Sequence, residues 1–194
     1  MIKCYRASGL LMLALAGCAA PPQTPTLQRE VGQLNRQLQT LTAQALALEQ
    51  QNTLNSHSTH GVYLLPDAKT SAILQSNIGK LSISLSHIEP EANGTQALLH
   101  VRLLEGAALP SFHAQLDWGQ IDPVSNKPLP SETQTQQLTL DAALLPKTEA
   151  VFGVRLSGVT PEQLGFVRLH QVETTAPQCK KKSLPQQGFS SRLS

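Results

Sequence analysis

Between Leu27 and Asn52 the apolar positions recur in steps of four and three: Leu27, Val31, Leu34, Leu38, Leu41, Ala45 and Leu48, with Asn52 continuing the series. A period of 3.5 kept over more than three heptads is a coiled-coil seam and predicts one amphipathic helix over 27–55. Thr26 is placed to cap it and Glu30 to sit in its first turns, where the helix dipole favours an anion. Most other positions are Gln, Thr, Asn or Ala, so the flanks lack the Glu/Lys pairs that select partners. Two arrangements stay open. Either the seam joins copies of the chain into a parallel homo-oligomer, with Val31 and Asn52 leaning towards a dimer, or the helix folds back on the body of its own chain, for which Leu46 widens the stripe.

From His60 the helical period gives way to alternation. Strands are predicted at 61–65, 80–88, 96–104, 111–118, 135–140, 150–156 and 166–172. Leu81, Ile83 and Leu85 alternate with serines, and Phe112, Ala114, Leu116 and Trp118 with polar residues. Turns fall at Pro66-Asp67, Ala108-Leu109-Pro110, Asp122-Pro123 and Pro128-Leu129-Pro130. Thr160 to Leu164 reads as one helical turn with Pro161 in first position. One hairpin can be registered from parity: odd residues of 81–85 and of 97–103 share a face, which demands an odd-length loop. Ala92-Asn93-Gly94 supplies it, setting Leu85 opposite Val101 and Ile83 opposite Leu103. Short antiparallel strands with turns at this spacing predict a mainly β fold, an immunoglobulin-like antiparallel β-sandwich over 60–173. A small open barrel is the alternative.

The first 17 residues carry a different signal. Lys3 and Arg6 precede an apolar run from Leu10 to Leu15, too short to span a bilayer and ordered as a secretory signal peptide. Leu15-Ala16-Gly17-Cys18 matches the bacterial lipobox, with cleavage between Gly17 and Cys18 and lipid on the Cys18 thiol. Two or three acyl chains there would hold a protein on a membrane where one chain only dwells. Residues 18–26, with Pro21, Pro22 and Pro25, read as a lipidated, extended tether, of which Ala19 to Thr26 span about 25 Å. The helix behind it would be a spacer of about 42 Å.

Composition narrows the chemistry. Lys+Arg total 15 and Asp+Glu 13, only 14% of the chain, and losing Lys3 and Arg6 with the signal peptide leaves thirteen of each sign. No cationic surplus remains to hold nucleic acid by counterion release. Three cysteines make neither a disulfide framework nor a Cys-rich zinc module. The six histidines, His57, His60, His87, His100, His113 and His170, include no close ligand pair on one helix. The register above sets His87 and His100 on opposite faces, so no metal site and no cofactor are expected. No Gly-x-Ser-x-Gly elbow or phosphate-binding glycine loop occurs, and no catalytic residue is assigned. The tail, 174–194, carries Cys179-Lys180-Lys181-Lys182 in a Gln/Ser-rich setting and reads as basic and disordered.

Asn52-Thr53-Leu54-Asn55, residues 59–66, the turn at Asn93-Gly94, Leu109-Pro110-Ser111-Phe112, Trp118-Gly119-Gln120-Ile121 and residues 163–170 together resemble the YajI-type enterobacterial lipoproteins, a domain-of-unknown-function family. The resemblance runs from the lipobox to about His170 and implies a short N-terminal helix before a β-rich domain; it brings no activity with it. Ala19 after the lipidated cysteine implies sorting to the outer membrane, because Asp there is the usual retention signal in such lipoproteins. The expected protein is thus a non-catalytic envelope module facing the periplasm, with the membrane and an envelope protein as partners. A lipoprotein that binds a small ligand or cell-wall glycan is the alternative, although aromatics at 4% leave few stacking platforms.

Overall fold

The computed structural model describes residues 24–175. Gly17, Cys18, the signal peptide, most of the tether and the tail from residue 176, with Cys179 and its lysines, lie outside the described residues. Two compact units divide at Thr40/Leu41. One helix, α1 (Thr24–Ser56), crosses that division, and eight strands follow it: β1 (Gly61–Leu64), β2 (Ala72–Ser76), β3 (Gly79–Glu91), β4 (Gly94–Leu103), β5 (Phe112–Gly119), β6 (Gln134–Leu140), β7 (Glu149–Ser157) and β8 (Phe166–Thr174).

The helix begins two residues before its expected cap, so Thr26 is inside the first turn and Glu30 one turn further in, where the dipole has faded. Pro25, assigned by its type to the tether, occupies a first-turn position whose N–H would have had no intrahelical acceptor anyway.

The strands form two antiparallel four-stranded sheets, ordered β1-β8-β5-β6 and β2-β3-β4-β7. The alternating side chains meet between them. Phe112, Leu116, Leu81, Ile83, Leu99 and Leu156 are fully buried, and Phe112 meets Phe152 edge to face at 6.2 Å. Burying each large apolar side chain contributes about 1.5–3 kcal/mol. Polar ties cross this core too: Trp118 Nε1 of one sheet donates to the Ser157 carbonyl of the other at 3.0 Å. The expected class, a mainly β body of two antiparallel sheets behind one helix, is the observed one.

Two local expectations change and one holds. Strand β2 has no counterpart in the predicted set, because Ile73, 60% exposed between buried Ala72 and Leu74, breaks the apolar–polar alternation. Residues 160–164 make the single turn expected, closed by the Leu164 N–H on the Thr160 carbonyl at 2.9 Å, an i+4 to i bond that no second turn continues. The β3–β4 hairpin keeps odd opposite odd but slides by two residues: Ile83 pairs with Val101 and Leu85 with Leu99. The extra residue that parity demands lies in a β-bulge between Ser86 and Glu89, and the loop is only Ala92-Asn93, closed by Glu91 opposite Gly94. Gly94 cannot carry a side chain, since a Cβ would run into the Leu156 carbonyl of neighbouring β7.

Candidate functional site

Strand β1 is a sheet edge, and an open edge presents unpaired N–H and C=O groups to any passing strand. Here the end of α1 seals it. Gln51, 1% exposed, accepts from the Leu65 N–H at 2.8 Å through Oε1. Asn55 acts as a surrogate strand, accepting from the Tyr63 N–H at 2.6 Å and donating to the Tyr63 carbonyl at 3.0 Å. Ser58 donates to the Gly61 carbonyl at 2.6 Å. Beside these polar contacts Ala47 and Leu54 pack with Leu65, Ala68 and Phe166. The last ten residues of the helix therefore belong to the body and are not spacer, which corrects the expected 42 Å reach.

The face that docks is not the predicted seam. Ala47, Gln51, Leu54 and Asn55 lie to one side of it, while Leu41 is 61% and Leu48 38% exposed, and Ala45 and Asn52 are exposed as well. In the first unit Leu27, Val31, Leu34 and Leu38 are likewise 55–60% exposed. The folded-back reading therefore holds for the end of the helix, while Leu41, Ala45, Leu48 and Asn52 of the seam remain exposed there.

On the outer face of the β1-β8-β5-β6 sheet, Tyr63, Arg168, Asp117 and Thr135 stand in one row across the four strands. Asp117 is occupied on two sides. Thr135 Oγ1 donates to its Oδ1 at 2.8 Å, and His170 Nε2 lies 2.8 Å from Oδ2, too far out of line for a hydrogen bond. Arg168 turns the other way and lays its guanidinium 5.1 Å above the Tyr63 ring, whose edge meets Phe166. Gly61 makes room for this, because a Cβ there would stand 2.7 Å from His170 Cβ and 3.0 Å from Arg168 Nε.

Arg168 and Tyr63 help line a groove of about 1010 Å³ between the end of α1 and the 125–130 loop. Asp122 shapes that loop: it accepts from the Ser125 hydroxyl at 2.6 Å and from the Val124 N–H at 3.0 Å. These bonds, the Ser125 hydroxyl first, hold its carboxyl below the ordinary value of 3.8. A depressed carboxyl steadies the fold above its unfolded pKa and loses that contribution as pH falls through the folded one. Acidification below the ordinary value should therefore loosen residues 122–127 before the sandwich opens. Amide exchange at Val124 and Ser125 should rise while that of Leu99 stays slow; equal protection at low pH would refute the role given to Asp122.

The other sheet brings His87 and His100 together, against expectation. The bulge turns His87 into a positive φ of 49°, and both rings reach Ser86 Oγ, at 3.0 Å from His87 Nδ1 and 2.7 Å from His100 Nε2. His100 Nδ1 in turn lies 3.0 Å from Glu149 Oε2. Ser86, His100 and Glu149 have the order of nucleophile, base and orienting carboxylate. They stand on an outward sheet face, and none of them lines the groove at the end of α1. The chain of bonds ties β3, β4 and β7 together across that face. Among the described residues no group of three or more His, Cys, Asp or Glu is arranged to hold a metal.

Comparison with known proteins adds the relatives. A family described as "Protein of unknown function (DUF3251)" matches residues 18–178. The uncharacterized lipoprotein YajI of Escherichia coli (strain K12) is 33% identical over 162 residues, covering 84% of this chain and 90% of that one. The solution NMR structure of that lipoprotein aligns with a TM-score of 0.65 at 34% identity, over 73% of this chain and 84% of that chain. The trimeric lipoprotein SadB of Salmonella enterica aligns with a TM-score of 0.49 at 18% identity, over 78% and 88%.

Proposed function

The chain belongs to the DUF3251 family of proteins of unknown function, and from that membership we propose that it is an outer-membrane lipoprotein, anchored through Cys18 and facing the periplasm, that works as a non-catalytic interaction module. The anchor rests on the lipobox, with cleavage after Gly17, on a family match that starts at residue 18, and on a relative named as a lipoprotein. No helix among the described residues is long and apolar enough to cross a membrane. Ala19 supports the outer membrane over the inner.

One observation carries the interaction reading: the heptad seam is exposed although the same helix docks on the sandwich by another face. A second copy of the chain, laid parallel, covers such a seam by knobs-into-holes packing. Replacing Leu38, 60% exposed, by Asp puts a charge into each copy's seam and removes a buried leucine worth about 1.5–3 kcal/mol per copy. In sedimentation equilibrium the unlipidated protein should be an oligomer and Leu38→Asp a folded monomer whose sandwich keeps the amide protection of the parent. A monomeric parent would refute self-association. The glycan-binding alternative gains no support from the groove, where the one aromatic lining residue, Tyr63, already has its ring covered by Arg168.

A further inference from the structure

Arg168 is the unexplained cation of this fold. Its cross-strand neighbour Asp117 is a carboxylate, yet the two form no ion pair, and among the described residues Arg168 pairs with no other acid. Its Nε is buried with no hydrogen-bond partner. A buried donor left without an acceptor is costly and uncommon, and a guanidinium stacked on a ring is fixed in a plane suited to a carboxylate. The groove that Arg168 lines has a second cation, Lys127, against the single carboxylate of Glu49. Leu46, Leu54, Pro128 and Pro130 add apolar surface to its lining. Along the helix the groove runs from Leu46 to His57, about 17 Å, which is the length of about five residues of extended chain.

We propose that this groove binds an extended acidic peptide, with a carboxylate seated on the Arg168 guanidinium, Lys127 as the second cation, and apolar side chains of the peptide resting on Leu46, Leu54 and the two prolines. The carboxylate pairs with the outer, terminal nitrogens of the guanidinium, for which no acid is present among the described residues, while Nε stays buried under β1. This deepens the interaction reading by giving the body a partner chemistry, and it rests on that reading only in treating the body as a binding module; neither the anchor nor the helix seam enters.

Calorimetric titration of the mature protein in detergent with acetyl-Leu-Ala-Glu-Ala-Leu-amide tests it. One peptide should bind per chain, and the same peptide with Gln for Glu should bind at least tenfold more weakly. Arg168→Gln should lose binding by a similar factor. Because that change also removes the stack on Tyr63, Lys127→Gln, at an exposed position, serves as the second variant and should weaken binding at least threefold at unchanged melting temperature. Absence of binding by the parent protein, equal affinity for the Glu and Gln peptides, or unchanged affinity in Lys127→Gln would overturn the proposal. Acetate competing as well as the peptide at equal concentration would overturn the peptide as occupant. Detergent and a defined ligand keep these outcomes separate from any failure of anchoring or self-association.

Discussion

Replacing Gln51 and Asn55 together by alanine should cost about 2–4 kcal/mol of stability, although neither residue is apolar and both lie on a helix outside the sandwich. The loss comes from β1. The Leu65 N–H is buried and would have no acceptor, and the Tyr63 N–H and carbonyl would lose both bonds to Asn55. A buried group stripped of its partner costs about 1–3 kcal/mol, less where water can replace the partner, as at half-buried Tyr63. For a body of this size the melting temperature should fall by roughly 5–15 °C. Gln50→Ala, on the groove side of the same helix, should change stability by no more than about 0.5 kcal/mol. The exposed edge should also reveal itself through faster amide exchange at Tyr63 and Leu65 and through concentration-dependent aggregation of the double variant. Unchanged melting and exchange would mean that the helix end does not hold the edge.

The same pair of residues shows where sequence reasoning succeeds and where it stops. Alternation placed the buried faces of β3, β4, β5 and β7, because a half-buried strand must alternate and these strands do. It passed over β2, where Ile73 points outward, and it put the parity-correcting residue in a loop instead of the bulge at His87. The helix was legible from its seam, but its docking face was not. That face works through Gln51 and Asn55, whose amides complete backbone hydrogen bonds, and a hydrophobic period carries no trace of amide pairing. Arg168 escaped notice for a related reason. Nothing within the segment Val167-Arg168-Leu169 tells which of its cross-strand neighbours, Tyr63 or Asp117, will take the guanidinium. The signal that was available was Gly61, a glycine in a strand, which marks a close approach by something else.

Cys18→Ser should have an all-or-none effect. Each buried methylene of an acyl chain contributes about 0.8 kcal/mol, so two or three chains hold for the life of the protein, while the variant keeps only its uncleaved signal peptide, whose apolar run is too short to span a bilayer. The serine variant, which the lipoprotein peptidase would not process, should lose palmitate label entirely. In the parent protein the decisive quantity is the mass of the N-terminal tryptic peptide, ending at Arg29, isolated from outer-membrane fractions. A peptide that starts at Cys18 and carries diacylglycerol with an acylated amine is the expected result. A peptide that starts elsewhere, or one with an unmodified Cys18 thiol, would contradict the assignment of this chain as a lipid-anchored envelope protein.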